Sequence, residues 1–127
     1  MVREFHETFG LLISHTPTVD LPSSLVATRR RILEEEVAEL SEALEAQDLT
    51  SIAKEMADLV YVVYGTAVTY GIDLDAVLSE VHRSNMSKLG PDGSPVLRPD
   101  GKVLKGPGYQ PPDVQAVLRM GVRGPTT

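Results

Sequence analysis

The sequence contains no cysteine and no tryptophan. Without cysteine there is no disulfide and no thiolate metal site, which fits a reducing compartment. Aromatic residues are few, four Tyr and two Phe, yet the hydrophobic content of 42% and charged content of 24% are ordinary for a soluble globular protein. There is no long apolar run. The longest uncharged stretch, Leu59 to Ile72, is too short to span a bilayer. The first ten residues, MVREFHETFG, carry charges where a signal peptide needs an apolar segment, so a cytoplasmic location without membrane attachment is expected. Positive charge is in deficit. A net charge of −6 argues against a nucleic-acid polymer as partner, because phosphate binding needs a basic surface. It leaves room for a nucleotide, whose phosphates can be held through a metal ion.

The length of 127 residues suits one domain over 1–127. Hydrophobic spacing predicts an all-α architecture. Phe5, Phe9, Leu12 and Ile13 mark a short first helix within Val2 to Ile13. A second helix, capped by Ser23 or Ser24, runs to about Ala46. After a short turn with Asp48 as a cap, a third runs from about Thr50 to Tyr70. It stops at Gly71, a common C-terminal residue. Asp73 caps a fourth helix to about Lys88. The short turn at Gln47 to Thr50 makes its two long neighbours antiparallel. The expected fold is thus an antiparallel bundle of four main helices over 2–89. A Pro/Gly-rich segment over 90–112 follows, with a hairpin expected in PVLRPDGKVL although Pro99 weakens its turn. A last short helix spans 113–120, and GVRGPTT reads as a frayed end.

ILEEEVAEL, Ile32 to Leu40, carries four glutamates within six residues of one helix. Such a run is either a solvated acidic face or a site for something positive. At 100° per residue, Leu25, Ile32, Leu33, Val37, Leu40, Ala43 and Leu44 share a face roughly 140° wide. Glu34, Glu42 and Glu45 lie off it. Glu36 falls inside it, Glu39 at its edge, and Glu35 on the outer flank beside Glu39. On the third helix Glu55 and Asp58 sit three residues apart, one turn before the uncharged run. Two i, i+3 carboxylate pairs on neighbouring helices are unfavourable by several kcal/mol per buried ion unless something compensates. Arg29, Arg30 and Arg31 can pair with Glu34 and Glu35, and Lys54 with Asp58. Nothing one turn away serves Glu36, because positions 32 and 40 are Ile and Leu. A multivalent cation is the simplest compensation. All-oxygen ligation favours magnesium, with manganese a working substitute. Calcium fits less well without a calcium-type loop. A di-iron carboxylate site wants Glu-x-x-His, where this chain has Glu39 and Asp58.

The pattern EEVAE at Glu35 to Glu39, followed by EMAD at Glu55 to Asp58, resembles the all-α nucleoside triphosphate pyrophosphohydrolases. These include MazG-like proteins, dimeric dUTPases, dCTP pyrophosphatases and phosphoribosyl-ATP pyrophosphohydrolases. The likeness covers roughly Glu4 to Leu118. KEMADLVYVVYGTAVTYGIDLDAVLSEVHRSNMSKL and DGKVLKGPGYQPPDV look like the bacterial MazG-like branch that includes a dUTPase. The resemblance implies hydrolysis between the α and β phosphates of a nucleotide, giving a monophosphate and pyrophosphate, with dUTP the preferred substrate. It implies that Glu36, Glu39, Glu55 and Asp58 hold magnesium, and that Glu35 orients or deprotonates the attacking water. The alternative for Glu35 is a salt bridge to Arg31.

Other residues are candidates for the substrate. Asn85 and Lys88, and Arg83 beside them, end the fourth helix, where related enzymes place polar residues for sugar and phosphate. The plainer reading is a C-terminal turn whose cations suit the helix dipole. Lys102 and Lys105 flank the second Asp-Gly turn, either closing over phosphates or simply solvated. Tyr61 can reach the site through its hydroxyl; Tyr64 reads as core and Tyr109 as a packing anchor. The three histidines read as surface or core residues, with His6, beside Phe5 and Phe9, also a candidate for a base pocket. The enclosed third helix predicts a homodimer or larger assembly. Hydrolysis of phosphoribosyl-ATP or of a modified nucleotide is the rival enzyme reading. A non-catalytic helical module with a structural metal is the rival of another class.

Overall fold

The computed structural model describes residues 1–120; the expected frayed end at 121–127 lies outside the described residues. Five helices occur and no strand is present among the described residues: α1 (Val2–Phe9), α2 (Ser23–Ala46), α3 (Leu49–Tyr70), α4 (Leu74–Met86) and α5 (Val114–Met120). None is long and apolar enough to cross a membrane. The chain divides into two compact units, Met1–Ile72 and residues from Asp73 onward.

In the first unit α2 and α3 pack closely and α1 lies against α3. Gln47 and Asp48 alone separate the two long helices. Gln47 takes a left-handed conformation (φ 56°), and its N–H donates to the Leu44 carbonyl. So short a link forces an antiparallel pair: Arg29 of α2 meets Val62 and Thr66 of α3, whereas Glu39 meets Glu55. The N-cap of α2 is Pro22, not either of the expected serines. Proline fixes φ there, so Ser23 and Ser24 fall inside the helix. Helix α1 ends at Gly10, left-handed at φ 69°, earlier than Ile13.

The connector after α1 straps across the C-terminus of α3. Ser14 N–H donates to the Val68 carbonyl at 3.1 Å, Ser14 Oγ to Thr69 O at 2.6 Å, and Thr18 N–H to Tyr70 O at 3.0 Å. These are carbonyls a helix end leaves without intrahelical partners. Gly71 caps α3 at φ 70°, and a Cβ there would stand 2.2 Å from the Thr16 carbonyl oxygen. Glycine is therefore required twice, for its dihedral and for its bareness.

Burial in this unit is thin. Among the described residues Ala43 and Ala67 are the buried hydrophobic ones, while Val37, Leu44, Met56 and Val60 are each more than half exposed. The uncharged stretch of α3, expected to be enclosed, still exposes Val60, Tyr61 and Val63 within one chain.

In the second unit Asp73 caps α4 by accepting the Ala76 N–H, as expected. The tail is tied back to α4: Ser84 Oγ donates to Gln110 O at 2.7 Å, and Asp113 N–H to Glu80 Oε1 at 3.1 Å. The expected hairpin is reduced to a single antiparallel bridge, Leu97 with Val103. Outward from it the next donor, the Gly106 N–H, turns to the Lys88 carbonyl and the ladder stops. Asp113 caps α5 through the Ala116 N–H.

Candidate metal and nucleotide site

The antiparallel register of α2 and α3 brings three of the four expected ligands together. Glu36, Glu39 and Glu55 each present an oxygen within 4.8 Å of the others. Glu36 Oε2 and Glu55 Oε2 are buried and have no hydrogen-bond partner. A buried, unpartnered carboxylate oxygen is costly, and two side by side are costlier. The strain shows at Glu39. A hydrogen bond shared with Glu55, then repulsion from Glu36 and Glu55, pushes its carboxyl above the ordinary carboxylate range, with Lys54 opposing. Three gathered carboxylates, two of them with an orphaned hard oxygen, fit a divalent cation.

Asp58, the fourth expected ligand, stands outside that trio. Lys54 Nζ lies 2.9 Å from Asp58 Oδ2 and 3.3 Å from Glu55 Oε1, the i, i+4 pair expected for Lys54. The two carboxylates in turn hold the Lys54 ammonium well above its ordinary pKa. Glu35 is turned outward, its side chain 61% exposed and 4.0 Å from the Arg31 guanidinium.

Next to the carboxylates a cavity of about 330 Å³ opens between α1, α2 and α3. Glu36 and Asp58 line it, together with Phe5, His6, Arg29 and Tyr61. Phe5 meets Tyr61 edge to face, with centroids 5.7 Å apart. His6 is almost fully buried, and its Nδ1 donates to the Leu12 carbonyl at 3.1 Å. Arg29 does not pair with an acid on its own helix. Its guanidinium turns onto α3, donating to Val62 O at 2.8 Å and to Thr66 Oγ1 at 3.1 Å. Burial lowers its pKa from the ordinary guanidinium value. The sequence suggested Glu34 and Glu35 as partners for Arg29, and neither pairs with it. The signal passed over in the sequence is Gly65, which leaves the notch that the guanidinium occupies.

The remaining candidates belong to the second unit. Arg83 is engaged: its Nε donates to both Glu80 oxygens at 2.9 and 3.1 Å, and its Nη1 to Gln110 Oε1 at 3.0 Å. It fastens the tail to α4. Lys105 Nζ sits 4.7 Å from the centroid of Tyr109. Asn85 is exposed at the end of α4, and Lys102 is exposed beyond the Asp100-Gly101 turn. Lys88 is half-buried, and its carbonyl accepts the Gly106 N–H.

Known proteins place the chain. A protein of Acanthamoeba polyphaga mimivirus, itself uncharacterized, is 32% identical over 98 residues, 74% of this chain. The chain spans about a third of that relative's length, 36%. A crystal structure from Exiguobacterium sp. 255-15, titled as that of a candidate NTP pyrophosphohydrolase, superposes with a TM-score of 0.45 at 25% identity. The match covers 95% of this chain and 90% of the other. The family model for phosphoribosyl-ATP pyrophosphohydrolase matches residues 2–85, which take in α1 to α3 and nearly all of α4. The chain belongs to the phosphoribosyl-ATP pyrophosphohydrolase family.

Proposed function

We propose that this protein is a magnesium-dependent nucleoside triphosphate pyrophosphohydrolase acting on dUTP. The observation that carries the reading is the carboxylate trio with its two buried, unpartnered oxygens beside a cavity of nucleoside size. Membership of the family supports the reaction class. Glu36, Glu39 and Glu55 would hold the ion, with Asp58 joining them once released from Lys54. Magnesium bound there supplies the positive charge that polyphosphate and a departing pyrophosphate require. Glu35 orients the attacking water and takes its proton as the oxygen bonds to the α-phosphorus. The bond to the bridging oxygen breaks, leaving dUMP and pyrophosphate. Lys88, Asn85, Lys102 and Lys105 are proposed as contacts to sugar and phosphate.

The chain works as a homodimer or larger assembly. The half-exposed Val37, Leu44, Met56 and Val60 on the paired long helices support this, since so much exposed apolar surface calls for a partner.

The test is pyrophosphate release from a panel of the canonical triphosphates, dUTP and phosphoribosyl-ATP, with and without magnesium. The expected result is magnesium-dependent release, fastest from dUTP. Equal turnover of all triphosphates sinks the substrate assignment. Turnover of phosphoribosyl-ATP alone, the activity for which the family is named, replaces it. No release from any of them, with metal-dependent stability retained, identifies a binding module instead.

A further inference from the structure

The two helices that carry the carboxylates have few polar ties. Apart from the hydrogen bond between Glu39 and Glu55, every hydrogen bond joining α2 to α3 among the described residues comes from Arg29. Its Nε and Nη2 each donate to Thr66 Oγ1 at 3.1 Å, and Nη2 also donates to the Val62 carbonyl at 2.8 Å. Thr66 Oγ1 gives its own hydrogen to Val62 O at 2.9 Å, so its lone pairs face the guanidinium. Both Nη2 hydrogens are thereby engaged. The group fills the notch over Gly65, where a Cβ would stand 2.7 Å from Nη2. A planar fork suits this grip, and an ammonium on a flexible stem would not reproduce it.

The grip lies on one side of the carboxylate trio and the interhelical turn on the other. Arg29 precedes Glu36 by two helical turns, about 10 Å of axial rise, and Gln47 follows Glu39 by about 12 Å. Between these fastenings Glu36, Glu39 and Glu55 bring oxygens within 4.8 Å of one another. Glu36 Oε2 and Glu55 Oε2 are buried without a partner. Carboxylates so placed push the two helices apart. Apolar packing opposes this weakly, since Ala43 and Ala67 are the buried hydrophobic residues among those described.

We propose that Arg29 is a positioning residue, whose grip on Val62 and Thr66 holds the carboxylates of α2 and α3 together against their own repulsion. The ligand oxygens are then gathered in advance, and a divalent ion does not have to close the helix pair itself. Grip and ion favour the same closed arrangement, so each strengthens the other. The consequence for metal binding rests on the pyrophosphohydrolase reading above; the grip is testable without metal.

The experiment is a cycle of thermal melts in EDTA on the wild type, Thr66→Val, Glu36→Gln and the double variant. Thr66→Val keeps the shape and neutrality of the side chain and removes the hydroxyl that Arg29 holds. In the wild-type background a loosened grip lets the helices part and relieves repulsion, which offsets some of the loss. Glu36→Gln has less repulsion to relieve, so the same change should lower its melting temperature by about 2 °C more. A hydrogen bond with a merely structural role gives equal drops in both backgrounds, and equal drops overturn the proposal. Calorimetric titration with magnesium chloride follows, well below the melting temperatures. The dissociation constant should rise by about fivefold or more in Thr66→Val and return toward the wild-type value in Thr66→Ser, which keeps the hydroxyl. An unchanged constant in Thr66→Val, or equal weakening in Thr66→Ser, overturns the proposal. If Thr66→Val does not fold, Gly65→Ala replaces it in the melts and the titration, because its methyl displaces Nη2 from the notch. If the wild type binds no magnesium, the metal reading falls and the melt cycle alone decides the grip. If magnesium binds but no nucleotide releases pyrophosphate, the reaction falls and both measurements still decide the grip.

Discussion

Replacing Glu36 by glutamine should make the metal-free protein more stable while stopping its chemistry. Glu36 and Glu55 place oxygens within 4.8 Å of each other, and each has a buried oxygen with no partner. Two like charges at that distance repel by about 1 kcal/mol at the dielectric of water and about 3 kcal/mol at an effective value of 20. Lys54 Nζ, 3.3 Å from Glu55 Oε1, already offsets part of this. A net gain of about 1 kcal/mol on removing the charge is expected, a rise in melting temperature of roughly 3 to 6 °C for a chain of this size. The assay is thermal unfolding in EDTA and again in magnesium. The wild type should gain stability with magnesium, about 2.7 kcal/mol at one hundred times the dissociation constant. Glu36→Gln should start higher and gain much less. A Glu36→Gln protein that melts lower than the wild type in EDTA refutes the reasoning, because the carboxylate would then be supporting the fold rather than straining it.

Three more outcomes are expected. Glu35→Gln should lower kcat by about a hundredfold or more, as for loss of a general base, and leave the magnesium-induced rise in melting temperature unchanged; near-wild-type turnover returns Glu35 to its surface contact with Arg31. Gly71→Ala should cost about 3 kcal/mol in denaturant unfolding, because its methyl meets the Thr16 carbonyl oxygen. Gly10→Ala, equally left-handed but with open space around it, should cost only about 1 kcal/mol; equal costs remove the strap from the explanation. The Arg83 hydrogen bonds, followed by the Asp113 N–H, hold the Glu80 carboxyl below its ordinary range. A depressed folded-state pKa contributes stability above the unfolded value, about 4.3, which is lost as pH falls through the folded value. Protection of the Gln110 and Asp113 amide hydrogens, with exchange corrected for its intrinsic pH dependence, should therefore fall on acidification below about pH 4 in the wild type. In Arg83→Ala it should be low already at neutral pH and respond little to acid.

The wheel found Glu36 because burial follows helical phase. An acid among Ile32, Leu33 and Leu40 has to be accounted for, and its Oε2 is indeed buried without a partner. The Lys54–Asp58 pair was legible for the same reason, as both residues lie on one helix four apart. Arg29 was not. Its phase sets it inside the same apolar stripe as Glu36, yet where a long side chain ends is decided by the Val62 carbonyl and by the missing side chain at Gly65, on another helix. The caps divide likewise. Asp73 acts locally and was readable, whereas Ser23 and Ser24 lost their role to the fixed backbone of Pro22. The extent of the 97–103 pairing escaped because a turn signal names a reversal without saying how many ladder rungs follow it.

Lys54 gives the carboxylate cleft a tethered counter-ion of its own. An ion arriving from solution must compete with an ammonium group that is always present at high local concentration and never diffuses away. Affinity for a free divalent ion is thereby set lower than three or four carboxylates would otherwise give. A polyphosphate that brings its own magnesium changes the contest, because its negative charge offers the displaced ammonium a new partner. Under the pyrophosphohydrolase reading proposed above, metal and substrate would then enter as one.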